Sequence, residues 1–419
     1  MNDVAIIGGG ASGLFCAIYV KHLLNKENIH DVNITIYERL EKTGKKLLAT
    51  GNGKCNFSNK HVSKEKYNNP DFVEPLLKKF NYKHLKEFLE ELGLYTIADS
   101  EGRAYPQSET ANSVLDILRT KIKIEGINEC CNTDIKKISY LNGKYLLETN
   151  RNQKISADYV VMATGGKACP IHGSNGSGYV LLKTFKHKII DPRPGLVSIK
   201  TDVNQVKSLA GIRVKANVLV FDKKQKKTVW EEKGEVLFKP DGLSGIVMMQ
   251  ASTYMQRNNG SYKILLDLCP TYTFEQLVLD LTKRYEMFKG FEVSQILTGI
   301  FNKMLNLAIL KKAKIDLSTH VDKLTKKDIL KIAKAIKEFD FDYNGTFDFD
   351  KAQVTIGGVD VLEVNRLTLE SKKADNLYII GELLDIDGEC GGFNIHWAFT
   401  SAVACATNIA EKIKCFAND

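Results

Sequence analysis

The chain has 419 residues, with 59 Lys and Arg against 50 Asp and Glu, a net charge of +9, and 43% hydrophobic residues. That length exceeds one ordinary domain and suffices for a large buried core, so two or three structural units are expected. No stretch reaches the roughly 18 consecutive apolar residues of a membrane helix, and a strand-like run already begins at Val4, which argues against a secretion signal; a cytoplasmic protein without membrane contact is expected.

The first element is a strand, Val4 to Ile7, running into Gly8-Gly9-Gly10-Ala11-Ser12-Gly13. A helix follows, with Leu14, Ala17, Ile18 and Tyr19 facing the interior. The glycines fall as G-x-G-x-x-G. Gly8 permits a tight turn, Gly10 lets the backbone approach a pyrophosphate, and Gly13 lets the helix pack closely on the sheet. The helix N-terminus then aims free N–H groups at the phosphates. A second strand, Val32 to Tyr37, ends in Glu38, 25 residues past Gly13. A carboxylate there suits ribose hydroxyls and repels a 2′-phosphate, so the ligand is FAD or NAD rather than NADP. The glycine pattern does not separate those two.

Further along, Gly44 to Asn59 is a polar loop. Lys45 and Lys46 suit phosphate charge, Gly51 and Gly53 let backbone approach a flat ring, and Asn52 and Asn56 suit its polar edges. Helices are expected over 75–94 and 110–124, and a hairpin over 134–149 around Asn142-Gly143. A strand at 159–162 runs into Ala163-Thr164-Gly165-Gly166, where ligands sit in an open α/β sheet. The glycine-rich Gly173 to Tyr179 reads as a turn opening a helix, since no strand precedes it. A border falls at Pro192-Arg193-Pro194-Gly195. Residues 196–266 read as strands, 273–339 as helices, and strands return from Ala352. Leu377 to Ile380 runs into Gly381 and Glu382, which suits ribityl hydroxyls. Last, Asp387 to Asn394 leads into a helix over 395–409, where Gly391-Gly392 makes an anion site for a flavin edge.

The nine cysteines form no C-x-x-C pair, so neither a metal site nor a dithiol centre is expected. The lysine clusters at 223–227, 311–314 and 326–327 lack interleaved aromatic residues. They read as solvated faces, which argues against nucleic acid. The sequence leaves the oligomeric state open.

Several of these stretches together resemble the BaiN-type flavoproteins, a family also described as aminoacetone oxidase-like NAD(P)/FAD-dependent oxidoreductases. They are Gly44 to Asn59, Gly234 to Phe238 with Gly242-Leu243-Ser244-Gly245, Ala352 to Val359, and Gly381 to Asp385 with Gly391-Gly392-Phe393-Asn394. The resemblance runs from Val4 to about Ile409. It implies an α/β fold: a Rossmann-like FAD-binding domain of the glutathione-reductase kind, interrupted by an inserted small β-barrel and helical bundle. The boundaries are then 1–192 and 346–419 for the FAD domain, and 193–345 for the insertion, with the barrel at 193–268 and the helices at 269–345. It implies FAD, with Glu38 on the ribose, Ala11 and Ser12 on the pyrophosphate, and backbone near Ile135 beside the adenine. Lys45, Lys46, Gly53, Asn56, Glu382, Asp385 and Gly392 to Ile395 would surround the rest. Three positions depart from the pattern: His396 in place of Gln, Ala402 in place of Gly, and Ile246 in place of Pro.

Two residues are candidates for proton transfer beside the cofactor. His396 opens the last helix, whose N-terminus would lower its pKa, and Tyr105 brings a phenol from the 103–108 loop. Cys55 and Cys390 read as inert thiols, and Arg103 and Arg193 as surface ion pairs. The expected activity is FAD-dependent oxidation or reduction of a small organic substrate. NAD(P)H-linked reduction of a conjugated oxo compound of steroid or bile-acid type leads, oxygen-dependent oxidation of an amine or aminoketone is the alternative, and RNA binding or modification is a reading from another class.

Overall fold

The computed structural model describes residues 2–418, with side chains described to residue 415. The chain divides into two compact units, Met1–Pro194 with Ala352–Asp419, and Gly195–Lys351.

The first unit is built on a five-stranded parallel sheet. Its strands are β1 (Asn2–Ile7), β2 (Val32–Tyr37), β3 (Asn128–Cys130), β4 (Tyr159–Met162) and β5 (Leu377–Ile379). Their order is β5-β4-β1-β2-β3. In register, Val4 lies between Ile34 and Tyr159, and Val160 pairs with Leu377. The central strands are buried almost throughout, as their unbroken apolar runs require for a sheet covered on both faces. Because all five strands run the same way, Gly8, Glu38, Ala163 and Ile380 emerge at one edge.

Helix α1 (Ala11–Lys26) follows β1, and helix α2 (Phe393–Asn418) ends the unit. The two pack on each other through Phe15 and Phe399, stacked with ring centroids 4.4 Å apart, and through the buried thiols of Cys16 and Cys405, with sulfurs 3.9 Å apart. The hairpin is present as strands Ile135–Leu141 and Lys144–Thr149, with left-handed Asn142 and Gly143 between them. The single helix expected over 75–94 is two helices, Pro70–Lys79 and Tyr82–Glu91. Asn81 breaks the run because its side chain accepts from the Lys83 and His84 amides and starts a new helix.

The second unit carries a six-stranded antiparallel sheet, ordered 199–200, 242–244, 227–239, 213–222, 262–267 and 339–342. Two elements differ from expectation. Ile246–Asn258 is a helix inside the stretch read as strands, and Phe339–Asp342 is a strand beyond the helices. Phe238, Ile264 and Phe341 from the sheet share one core with Leu281, Ile309, Ile332 and Ile336 from the helices. Strands and helices here form one layered body, since neither set buries its apolar face alone. Ile246 stands at the first position of its helix, a place that favours proline.

Candidate functional site

The loop after β1 does what its spacing requires. Gly8 is left-handed (φ 107°), and a Cβ there would lie 2.5 Å from the Ala163 carbonyl oxygen. A Cβ on Gly13 would lie 2.0 Å from the Gly8 carbonyl oxygen, so α1 approaches β1 as only glycine allows. Gly10 is different. A Cβ there meets nothing within 4 Å, and its backbone is extended. Nothing inside the protein requires that glycine, and the space over its backbone is open to a group from outside. Gly10 caps α1 without any side-chain hydrogen bond, and no acid lies in the first turn. The helix N-terminus therefore offers unshared N–H groups and positive field to an anion.

Glu38 sits beside this loop. Its carboxylate accepts from the Gly9 amide at 2.8 Å and from the Leu40 amide at 2.8 Å. Both oxygens are fixed and each keeps a further lone pair. The Asn132 and Thr133 amides donate to the Leu40 and Glu38 carbonyls, which draws the segment before Ile135 to the same place. Ile135 itself is buried. Ser12 is also buried, with its Oγ 2.7 Å from where a Gly381 Cβ would stand. Gly381 is held from the other side by Ser401, which accepts from its N–H at 2.9 Å, and by Trp397, whose indole donates to its carbonyl at 3.1 Å.

Beyond Gly381, two acids are clasped. Glu382 pairs with Lys46 at 2.7 Å and accepts from the Thr355 amide at 2.7 Å. Asp385 accepts from the Gly357 amide at 3.1 Å. Near them the Tyr179 hydroxyl is buried without a partner, and burial followed by the charges of Glu382 and Asp385 raises its pKa. The Thr164 hydroxyl, after β4, is likewise buried and unpartnered, and left-handed Gly165 follows it. Lys45 forms an ion pair with Glu41 at 2.7 Å on an exposed helical turn.

A third group of residues meets at the N-terminus of α2. Gly51, Asn52 and Gly53 form a left-handed run on the exposed side of their loop. Asn56 donates to the Ser58 and Ala104 carbonyls, both at 2.9 Å, and a Cβ on Gly392 would lie 2.2 Å from the Ser58 carbonyl oxygen. Asn394 braces the turn before the helix, donating to the Gly388 and Glu389 carbonyls, and Phe393 is buried edge-on to Tyr67. These two side chains hold the turn together. Ile395 is half-buried against the core. Tyr105 lies on the strand Arg103–Pro106, which pairs with Ser58 and Asn59. Ala104 and Pro106 point inward, so Arg103 and Tyr105 share the outer face. Arg103 is held by Asp99 at 2.7 Å, and Arg193 faces Asp191 at 3.5 Å.

His396 does not fit proton exchange with a substrate. Its ring is 0% exposed, with Nδ1 on the Ser58 hydroxyl at 2.8 Å and Nε2 unpartnered. Burial pushes its pKa down to about 4, against a weaker pull upward from the Phe80 carbonyl. The cause is desolvation rather than the helix end. Cys55 is equally buried, which pushes its thiol up to about 11 and keeps it inert.

The missed signals are Thr355, Ser58 and Ser401. Their partners lie 20 to 338 residues away, so no local spacing marks them.

Two predictions follow from this geometry. Gly13→Ala is expected to destabilise the fold by about 1–3 kcal/mol in urea titration, because the Gly8 carbonyl must move. Gly10→Ala is expected to leave stability within about 0.5 kcal/mol and to weaken FAD binding about tenfold by fluorescence titration, because its methyl enters the open cradle. Separately, His396 stays neutral in the folded protein, while the unfolded chain takes up a proton below pH 6.5. Stability present above pH 6.5 is then lost as pH falls toward 4, by up to about 3 kcal/mol. His396→Gln is expected to flatten that part of a stability–pH curve.

The open cradle at Gly10, the uncapped helix end and the buried, unpartnered hydroxyls of Thr164 and Tyr179 fit a dinucleotide with a flavin. Comparison with known proteins agrees. The family model described as the HI0933-like protein Rossmann domain matches residues 2–408. The chain is 33% identical to a 3-dehydro-bile acid delta(4,6)-reductase of Clostridium scindens, over 98% of this chain and 100% of that protein. It is 27% identical to a ribosomal RNA dihydrouridine synthase of Haemophilus influenzae, over 98% and 99% of the two chains. Among solved structures, a 3-ketosteroid delta1-dehydrogenase from Sterolibacterium denitrificans shares the fold, with a TM-score of 0.51 at 10% identity over 98% of this chain and 100% of that one. Among the described residues no helix is long and apolar enough to cross a membrane. The chain belongs to the HI0933-like Rossmann-domain family, the group that the BaiN-type resemblance pointed to, and it is an FAD-dependent oxidoreductase.

Proposed function

We propose that this enzyme reduces a carbon–carbon double bond conjugated to a carbonyl, in a small oxo compound of steroid type, with NADH or NADPH as electron donor. The observation that carries the reading is the 33% identity to the bile-acid reductase along the full length of both chains. Forming dihydrouridine also saturates a ring double bond next to a carbonyl, so the second relative's name describes the same class of reaction.

FAD, when bound, supplies the hydride chemistry of such a reduction. The protein's own residues bind and orient it: Gly8, Gly10, Ala11, Ser12 and Gly13 at the pyrophosphate, Glu38 at the ribose, the segment at Ile135 beside the adenine. Thr164, Gly165, Lys45, Lys46, Gly381, Glu382 and Asp385 follow the chain of the cofactor, and the stretches 51–56 and 392–395 frame its ring. The reaction also needs a proton at the carbon next to the carbonyl. Tyr105 is our candidate to hold it, at Oη. Its phenol is raised in pKa mainly by burial, which keeps the proton on the oxygen, and it shares its surroundings with Arg103, Lys54 and Cys390.

A second reading has its own support. Residues 195–351 contain 26 Lys and Arg against 19 Asp and Glu, so this unit carries +7 of the chain's +9. With the dihydrouridine synthase relatives, this favours a uracil in RNA as the reducible group, the phosphates being met by the second unit.

The first test is anaerobic mixing of the yellow protein with NADH, then NADPH, in the presence and absence of a 4-en-3-one steroid. The expected outcome is rapid loss of oxidised-flavin absorbance and its return on adding the enone. Bleaching without reoxidation by the enone, together with ribosomal RNA lacking dihydrouridine when the gene is removed, would favour RNA. No bleaching by either donor would move attention to amines and aminoketones with oxygen. Tyr105→Phe is expected to lower the rate of enone-driven reoxidation by about 100-fold while leaving reduction by the nicotinamide unchanged.

A further inference from the structure

The strand Val354–Val359 returns the chain to the first unit and is buried along its whole length. Backbone N–H groups two residues apart point to the same edge of a strand. Here those of Thr355 and Gly357 each donate to a carboxylate, Glu382 Oε1 at 2.7 Å and Asp385 Oδ1 at 3.1 Å. The same strand accepts at its end, where the Asp385 amide donates to the Val359 carbonyl at 2.9 Å. The turn that follows β5 is therefore read, acid by acid, by this strand.

Thr355 adds a third connection. Its hydroxyl accepts from the Lys167 amide at 2.7 Å and the Ala168 amide at 3.0 Å, in the loop that follows β4. A Cβ on Gly166 would lie 2.2 Å from the Thr355 Oγ1 and 3.2 Å from Glu382 Oε1, so all three segments touch at one point. Thr355 is 1% exposed and cannot itself reach a ligand. Glu382 can: its other oxygen is on Lys46, and both of those side chains are about a quarter exposed.

We infer that Thr355 is a positioning residue for the flavin cofactor, locking the loop after β4 against the return strand so that the Glu382 carboxylate and its Lys46 partner stand at a fixed place beside the cofactor. Removing the hydroxyl takes the acceptor from the buried Ala168 amide and from the half-buried Lys167 amide. The loop must then shift to find one, and it carries Gly166 away from Glu382. The inference rests on FAD as the cofactor and not on the identity of the substrate.

The test compares Thr355→Val, which keeps shape and loses the hydroxyl, with Thr355→Ser, which keeps the hydroxyl. The full chain is purified, stripped of flavin and titrated with FAD, following flavin fluorescence, and the midpoint potential of the loaded protein is read by dye equilibration. Thr355→Val is expected to raise the FAD dissociation constant about tenfold and to shift the potential, and Thr355→Ser to restore both. Lys46→Met, which acts on the same carboxylate from the other side, is expected to be less than additive with Thr355→Val. Wild-type affinity and potential in a folded Thr355→Val would overturn the inference while leaving FAD in place. Loss of folding in Thr355→Val would overturn it too if Lys46→Met, with Thr355 intact, bound FAD with wild-type affinity and potential. A wild-type protein that takes up no flavin would overturn the cofactor reading with it.

Discussion

The first unit depends on one close approach. The carbonyl of Gly8 and the α-carbon of Gly13 are so near that any side chain at Gly13 would fall 2.0 Å from the oxygen. This contact seats α1 on β1 at a depth no other residue permits. Once seated, the uncapped N-terminus of α1 faces the carboxyl edge of the sheet, and Gly9 lies where Glu38 can take its amide. Ser12, one residue before Gly13, is pressed toward Gly381 at the end of β5. Move α1 outward by a methyl group and the anchors at β1, β2 and β5 lose register together.

Much of that arrangement was legible because its chemistry is local. Three glycines at fixed spacing between a strand and a helix have few other uses, and Glu38 stands at the end of the next strand. The Asn142-Gly143 hairpin was legible for the same reason, since both residues adopt the left-handed conformation a tight turn demands. Thr355 was not legible as a hub, because its partners at 167, 168 and 382 come together only in the folded chain. His396 misled for a related reason. Its place at a helix start near two glycines suggested proton transfer beside the cofactor, but the ring is fully buried and held by Ser58, 338 residues away. The helix at Ile246–Asn258 read as strand because apolar Ile246 and Met249 lie off its buried face of Val247, Met248, Ala251 and Met255 and blur the helical period beside the strand-forming runs before and after it.

The face that carries Tyr105, our candidate proton donor, is organised differently from the segments around Gly8 and Glu38. Around Gly8 and Glu38 the fixed groups are backbone amides and carboxylates, which cannot wander. Around Tyr105 they are side chains on the outer face of a short strand, with Arg103 held by Asp99 and Lys54 by Glu109. Backbone fixation suits a cofactor of constant shape. A face of side chains can be exchanged residue by residue without disturbing the sheet, which is compatible with two full-length relatives named for a bile acid and for ribosomal RNA.

The position of the insertion follows from the same economy. The chain leaves the first unit through Ile189–Gly195 and re-enters through Val354–Val359, and these two strands pair with each other. An insertion whose ends are already adjacent adds little closure entropy, so about 150 residues can be accommodated without loosening the host. The hazard lies elsewhere: the re-entering strand must find its place after a long excursion, and the two acids we place beside the cofactor depend on it. Pinning Glu382 and Asp385 to the Thr355 and Gly357 amides of that strand, and the β4 loop to the Thr355 hydroxyl, couples correct re-entry to the placement of both acids. A strand docked one residue out of register would present its opposite edge to both acids and take the Thr355 and Gly357 amides away from them, which disfavours it.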